Sequence, residues 1–296
     1  MDREGRRRDC AKRGRRGGDG AGNAGGLRRA GVLFGEMCVK GVLGWRYAGG
    51  LAVLLGLLSM SAGTMLPGLH PAQPIIQAFA GERMLVPLAA CVLLMLSDAP
   101  FYGNSDAFLL PRTGRYGWAL SRIAYLPLAT ALALLAGAAW TMVLNLDKSD
   151  WGAAILAPSP SIYTLAELPN AAIPPGFALW SALGLAWLYC TLWAYVMMAV
   201  NLAANRGAGI GFALLGMILD YLVHFYLWLS ALHYVSPINN AAFSAHNLFG
   251  LAPSQPTVGY SLCYLGFLCL ALALGLLWAA PRLQFNGEKS RESGER

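Results

Sequence analysis

Six long apolar segments determine what this chain can fold into. Each reaches the length of about 17–25 residues at which an α-helix crosses the hydrocarbon core of a bilayer, although the second carries Asp98 near its end. The sequence therefore predicts an all-α integral membrane protein with six transmembrane helices. The predicted spans are 45–66, 84–101, 118–146, 177–203, 207–235 and 258–280.

The basic residues between these segments indicate their orientation. All 22 lysines and arginines except Arg83 and Lys148 fall on one side of a six-span arrangement. Because cytoplasmic loops carry the excess of Lys and Arg, that side is predicted to be the cytoplasm, with both termini inside. The loop 147–176, which is net acidic, is then predicted to face outward.

The composition favours a membrane domain over a soluble one. Hydrophobic residues make up 56% of the chain and charged residues 12%, against about 25% charged in soluble domains. We predict a basic, disordered cytoplasmic tail over 1–38, a six-span permease domain over 39–281 and a cytoplasmic tail over 282–296. The net charge of +7 is assigned to contact with anionic membrane lipids rather than nucleic acid, because the basic residues flank apolar segments.

No strong catalytic signature occurs in the sequence. No lysine stands in a G-x-x-x-x-G-K-[ST] phosphate-binding loop, and neither an H-E-x-x-H zinc motif nor a G-x-S-x-G nucleophile elbow is present. The sequence therefore predicts no catalytic residue, no metal site and no cofactor. It favours a conduit or transporter over an enzyme.

Asp220 and His224 form the polar pair placed most deeply in an apolar segment. They stand four residues apart in the fifth predicted span, with Asp220 near its middle, so a helix presents both on one face. A carboxylate at mid-bilayer costs at least about 2.5 kcal/mol and usually faces the bundle interior and a partner. Two interpretations stay open: a hydrogen bond that fixes helix packing, or an element of a substrate path or gate.

Glycines recur at two of the predicted spans: Gly44, Gly49, Gly50 and Gly56 at the first, and Gly207, Gly209, Gly211 and Gly216 at the fifth. Small residues allow membrane helices to approach closely. Packing within one chain and a seam between two chains both agree with this pattern.

Aromatic and basic side chains are combined in the segment 99–117 and at the residue that follows it. They are Phe101, Phe108, Arg112, Arg115 and Trp118. The pattern predicts an interfacial segment on the cytoplasmic side, which either anchors at the lipid headgroups or docks a cytoplasmic partner.

With these residues in place, the chain resembles the six-span permeases of type-2 ATP-binding-cassette exporters. Three short stretches carry the resemblance: Ser-Asp-Ala-Pro-Phe at 97–101, Arg112-x-x-Arg115-x-x-Trp118 before the third span, and Ser236-Pro237 after the fifth. The resemblance covers about residues 39–281. The loop 147–176 is longer than the family pattern, and the basic N-terminal extension is not part of it.

The resemblance implies a mechanism and partners. Two permease chains, identical or different, would pair with two separately encoded ATPase subunits in a bacterial plasma membrane and move a substrate outward. The segment between the second and third spans would couple to the ATPase through Phe101, Phe108, Arg112, Arg115 and Trp118. The substrate is not identified by the resemblance.

Two other classes remain as alternatives. One is an ATP-independent six-span carrier or substrate-binding protein, which would import rather than export. The other is an intramembrane enzyme that uses Asp220 and His224 as acid and base, although further polar groups in neighbouring spans are scarce.

Overall fold

Helices account for most of the residues that the computed structural model describes. Apart from an isolated bridge between Leu69 and Ser149, no β-structure occurs within those residues. The predicted all-α class is confirmed. The described residues are 31–32, 34–35, 38, 41–42, 44–62, 68–97, 99, 106–153, 174–204, 207–226, 234–246 and 255–280.

Three helices are long and apolar enough to cross a membrane. They are α4 (Asp106–Leu144), whose apolar part is Arg115–Leu144, α5 (Pro175–Ala203) and α8 (Val258–Ala279). These helices correspond to the third, fourth and sixth predicted spans. Their number is compatible with a membrane-embedded protein.

A fourth crossing is formed if two helices bent against each other count as one. Helices α2 (Ala72–Ala80) and α3 (Glu82–Met95) meet at an angle of 76° around Gly81. A Cβ at Gly81 would lie 2.6 Å from the carbonyl of Gln77, so this bend requires the glycine. The sequence analysis placed no helix between the predicted spans 45–66 and 84–101, so α2 was not predicted.

Two further helices of 18 and 19 residues have shorter apolar parts than the three spans. They are α1 (Trp45–Ala62), which begins with Trp-Arg-Tyr, and α6 (Ala208–Tyr226). Neither is among the helices that meet the length and hydropathy of a span. Six crossings and the cytoplasmic position of both termini therefore stay predictions.

The chain reverses direction after α6. Ser236 hydrogen-bonds to Asp220, sixteen residues earlier, whereas a continuous helix would separate these residues by about 24 Å. The prediction of one helix over 207–235 was therefore wrong. After the reversal follow the short helix α7 (Pro237–Ala241) and a 3-10 turn, Phe243–Ala245. The four residues of α7 from Ile238 to Ala241 are buried.

Helix α5 is the centre of the bundle and packs against α2, α3, α4, α6, α7 and α8. One of its contacts supplies a hydrogen-bond donor that α4 lacks. Pro127 lacks an amide hydrogen, which leaves the carbonyl of Ile123 without its helical donor. The hydroxyl of Tyr195 in α5 donates to that carbonyl at 3.1 Å. The indole of Trp187 donates to the carbonyl of Pro127 itself at 2.8 Å.

Candidate functional site

Six polar residues meet where α6, α7 and α8 come together, and we call them the α7 cluster. Asp220 and His224 lie on α6, Ser236 precedes α7, Asn239 and Asn240 lie on α7, and Ser261 lies on α8. Apart from Asp220 and His224, the members are at most 6% exposed. The cluster thus contains both residues that the sequence singled out and four that it did not.

Asp220 caps α7 from another helix. The first amides of a helix have no partner within it and usually bond to the side chain of the preceding residue. Ser236 does not cap α7 in this way; its hydroxyl instead donates to Oδ1 of Asp220 at 2.6 Å. The other oxygen, Oδ2, accepts from the backbone amide of Ile238 at 2.8 Å. Both carboxylate oxygens are therefore engaged in holding α7.

His224 extends the same contact by one helical turn. Its Nδ1 donates to Oδ1 of Asn239, which requires the tautomer protonated at Nδ1. Because Asp220 and His224 share a face of α6, both side chains hydrogen-bond to the same short helix, α7. The four-residue spacing of Asp220 and His224, noted from the sequence, thus places both side chains against α7.

Helix α8 holds α7 from the other side. The hydroxyl of Ser261 donates to Oδ1 of Asn240 at 2.8 Å. The side-chain amide of Asn240 donates through Nδ2 to the backbone carbonyls of Ser236 and Tyr234. A buried polar network in which each member has a partner rigidifies its surroundings, whereas a buried group that loses its partner is costly. The α7 cluster therefore fixes a short, polar helix inside an apolar bundle.

The chemistry available to the α7 cluster is limited. Within the described ranges, no group of three or more His, Cys, Asp or Glu side chains could hold a metal ion. Each oxygen of Asp220 already accepts a hydrogen bond from the start of α7. The contacts favour a structural role for the pair over an acid–base role.

Four of the five residues predicted to contact an ATPase lie on α4, and the structure describes them unequally. Phe101 lies outside the described residues, and Phe108 and Arg112 lie on α4 with side chains outside the description. Arg115 is exposed. The third helix was predicted to begin at Trp118, but α4 begins at Asp106 and continues without interruption.

Of the two predicted contact residues whose side chains the structure describes, Arg115 and Trp118, the second lies in the interior. It is 1% exposed and packs against Ala280 and Leu202. The guanidinium of Arg122 lies 5.5 Å from the centre of its ring, a cation–π arrangement. The ring of Trp118 therefore joins the ends of α5 and α8 rather than facing outward.

Asn201 was missed by the sequence analysis. It is 5% exposed at the end of α5. Its Nδ2 donates to the carbonyl of Ala99 at 2.7 Å, and its Oδ1 accepts from the amides of Gly209 and Gly207 at 2.9 and 3.3 Å. Gly207 signals a turn after α5 in the sequence, whereas the contact of Asn201 with Ala99 joins residues too far apart for a local signal.

An apolar groove of about 240 Å³ runs between α5 and α8. Small residues form much of its wall, among them Ala199, Ala203, Ala271, Gly275 and Ala279. The groove contains no ionisable group and does not adjoin the α7 cluster's polar atoms.

Comparison with models of known protein families, with characterised proteins and with solved structures finds no match to this chain. The assignment of a function consequently depends on its residues and their geometry.

Proposed function

We propose that the chain is the permease subunit of an ATP-binding-cassette exporter, which moves a substrate outward across a bacterial plasma membrane when a separate ATPase drives it. The observation that carries the proposal is the length of α4. Its 39 residues extend about 58 Å, nearly twice the roughly 30 Å of a hydrocarbon core. Only Arg115–Leu144 has the composition of a span.

The excess length of α4 supports a docking element. Residues 106–114 continue the helix beyond the apolar part, at the end where the distribution of basic residues predicts the cytoplasm. An extended helical end that carries Arg112 and leads to the exposed Arg115 offers a contact element for a soluble partner. A flexible loop at this place would transmit less of a partner's movement.

The partner follows from what the sequence lacks. The chain has no phosphate-binding loop, so ATP binding and hydrolysis belong to another subunit. Two copies of the ATPase would close on ATP and move the α4 ends of two permease chains, identical or different. The substrate path would lie between those chains. The substrate class stays open.

Copurification with activity tests this proposal. The tagged full chain is isolated from membranes of its source cells in mild detergent, and ATP hydrolysis and transport into inverted vesicles are measured. We expect an ATP-binding-cassette subunit with an intact phosphate-binding loop to copurify, and vanadate to stop both hydrolysis and transport. The isolated chain should not hydrolyse ATP.

The alternatives have distinct outcomes in the same experiment. Substrate uptake by proteoliposomes that contain only this chain would indicate the ATP-independent carrier. Chemical conversion of a lipid or peptide that depends on Asp220 and His224 would indicate the enzyme. Either result, without an associated ATPase, would contradict the permease proposal.

A further inference from the structure

The turn between α5 and α6 depends on one buried amide with two distinct ends. The donor end of Asn201 binds the carbonyl of Ala99, which lies four residues beyond the end of α3. The acceptor end binds the backbone of Gly207 and Gly209 at the start of α6. A single side chain therefore joins the turn between α5 and α6 to the segment that follows α3, about a hundred residues earlier in the chain.

Backbone geometry makes this junction stiff. Gly207 has φ +93°, a left-handed conformation that glycine adopts at little cost. Gly209 lies so close to α5 that a Cβ there would collide with the carbonyl of Met197 and would lie 2.6 Å from Oδ1 of Asn201. The first turn of α6 thus cannot slide along α5 without breaking the contacts of Asn201.

The junction lies between the proposed ATPase contact and the α7 cluster. Ala99 is 2% exposed and precedes the connection to α4. Asp220 lies eleven residues after Gly209 on the same helix, a distance of about 16 Å along its axis. Helix α6 is consequently held by Asn201 near its start and holds α7 near its end.

We infer that Asn201 is a positioning residue, which transmits a displacement of the α3–α4 connection to α6 and, through α6, to α7. The inference relies on the proposed function only for the origin of the displacement, namely an ATPase that acts on the start of α4. The Nδ2 of Asn201 receives the displacement through its contact with Ala99, and the Oδ1 passes it to the start of α6 through Gly207 and Gly209. These two ends of the side chain are separable by substitution.

Asn201→Asp removes the contact with Ala99 and keeps the contacts with Gly207 and Gly209. The carboxylate retains an acceptor for the two glycine amides, and those donors at a helix start favour its ionised form. It has no hydrogen to donate to Ala99. Asn145→Asp is the matched control, since Asn145 is also a buried asparagine whose Nδ2 donates to a carbonyl, that of Thr141, but it lies at the opposite end of α4.

Amide hydrogen exchange on the full chain in nanodiscs at pH 8 measures the contacts at the donor and the acceptor end of the Asn201 side chain separately. In Asn201→Asp we expect the amides of Leu96, Ser97 and Ala99 to exchange about tenfold faster, the effect of one lost buried hydrogen bond, while the amides of 207–210 keep wild-type rates. The control should leave both regions within twofold. Unchanged exchange at 96–99, or faster exchange at 207–210 alone, would overturn the assignment of the two ends.

The wild-type complex tests transmission without any variant. When the associated ATPase is trapped with ATP and vanadate, exchange at 207–210 should change together with exchange at 96–99. In Asn201→Asp, ATP hydrolysis should persist while transport falls at least tenfold. A change at 96–99 with no change at 207–210 would overturn transmission, even if the variant does not fold. If no ATPase associates, the proposed function fails, and the measurements on the chain alone still decide whether Asn201 bridges the segments.

Discussion

The carboxylate of Asp220 accepts a hydrogen bond from the backbone amide of Ile238, eighteen residues further along the chain, at 2.8 Å. It also accepts one from the hydroxyl of Ser236. A side chain of α6 thus caps the start of α7, and the chain must reverse between the two helices. This use of Asp220 favours the interpretation that its side-chain oxygens are retained for packing.

Two substitutions of Asp220 separate packing from transport. Asp220→Asn keeps one oxygen acceptor and lowers the cost of placing α6 in hydrocarbon, so we expect near wild-type thermal stability and continued transport. Asp220→Leu leaves the amide of Ile238 and the hydroxyl of Ser236 without their acceptor and should lower the free energy of unfolding by about 2 kcal/mol or more. Melting in detergent and transport in vesicles measure the two effects.

A specific result would contradict this interpretation. If Asp220→Asn is stable and binds its ATPase but does not transport, the charge serves the substrate path or the conformational cycle. His224→Gln should then show a similar defect, because both side chains contact the same helix.

Glycines at two positions of α6 provide a test of packing within one chain. A Cβ at Gly216 would lie 2.6 Å from the ring of Trp193, whereas a Cβ at Gly211 would meet no atom within 4 Å. Overpacking costs about 1–3 kcal/mol and exceeds the gain in helix propensity of about 0.5–1 kcal/mol. Gly216→Ala should therefore lower the melting temperature, and Gly211→Ala should keep or raise it. Equal effects would show that Trp193 yields without cost.

The sequence predicts those helices whose apolar run is itself sufficient for a span. The spans 177–203 and 258–280 agree with α5 and α8 within two residues at each end. Apolar periodicity does not extend to Asp106, so the polar beginning of α4 was taken for a loop. That beginning is helical because it continues an established helix, and propagation costs less than nucleation.

Helices α2 and α7 were missed for a different physical reason. Their sequences contain Pro74 and the pair Asn239 and Asn240, which locally favour turns. Contacts with α5, the acceptor oxygen that Asp220 offers to Ile238 and the hydrogen bond that Ser261 donates to Asn240 supply what local propensity lacks. Such contacts join residues that are far apart in the chain, so the α7 cluster was predicted only as the pair Asp220 and His224.

The predicted orientation can be tested by single cysteines at exposed positions. Lys148→Cys lies in the loop predicted to face outward, and Tyr116→Cys lies near the start of the apolar part of α4; both residues are exposed. An impermeant thiol reagent applied to intact cells should label the first variant and should label the second only after lysis. The parent chain, with its own cysteines, gives the background. Reversed labelling would remove the basis for an ATPase contact at α4.

Charge reversal at the start of α4 tests the coupling segment. Arg112→Glu with Arg115→Glu should weaken association with the ATPase or uncouple hydrolysis from transport, while membrane insertion is unchanged. Arg46→Glu is the matched control, since Arg46 is exposed as Arg115 is and lies on the same predicted side but outside this segment. Normal ATPase binding and transport by the double variant would show that another surface couples the subunits.

His246 predicts a pH dependence of stability. It is 4% exposed, its Nδ1 donates to the carbonyl of Ala242 at 2.8 Å, and burial lowers its pKa below the usual 6.5. The unfolded chain therefore binds a proton more readily than the folded chain, so this residue's contribution to stability is complete above pH 6.5 and decreases as the pH falls through 6.5.

The variant His246→Gln isolates this contribution, because glutamine does not titrate. The melting temperature of the wild-type chain should fall more between pH 7.5 and pH 5.5 than that of the variant. An equal fall in both proteins would show that protonation of other groups causes the loss.

The central position of α5 has a practical consequence for the study of motion in this protein. Because six other helices pack against α5, its own displacement within the bundle is the most constrained, and it offers a common frame of reference. Its first turns are accessible, with Phe177 and Trp180 both exposed. A spectroscopic label at one of these positions, paired in turn with a label on α4, α6 or α8, would express every helix movement relative to the same fixed point.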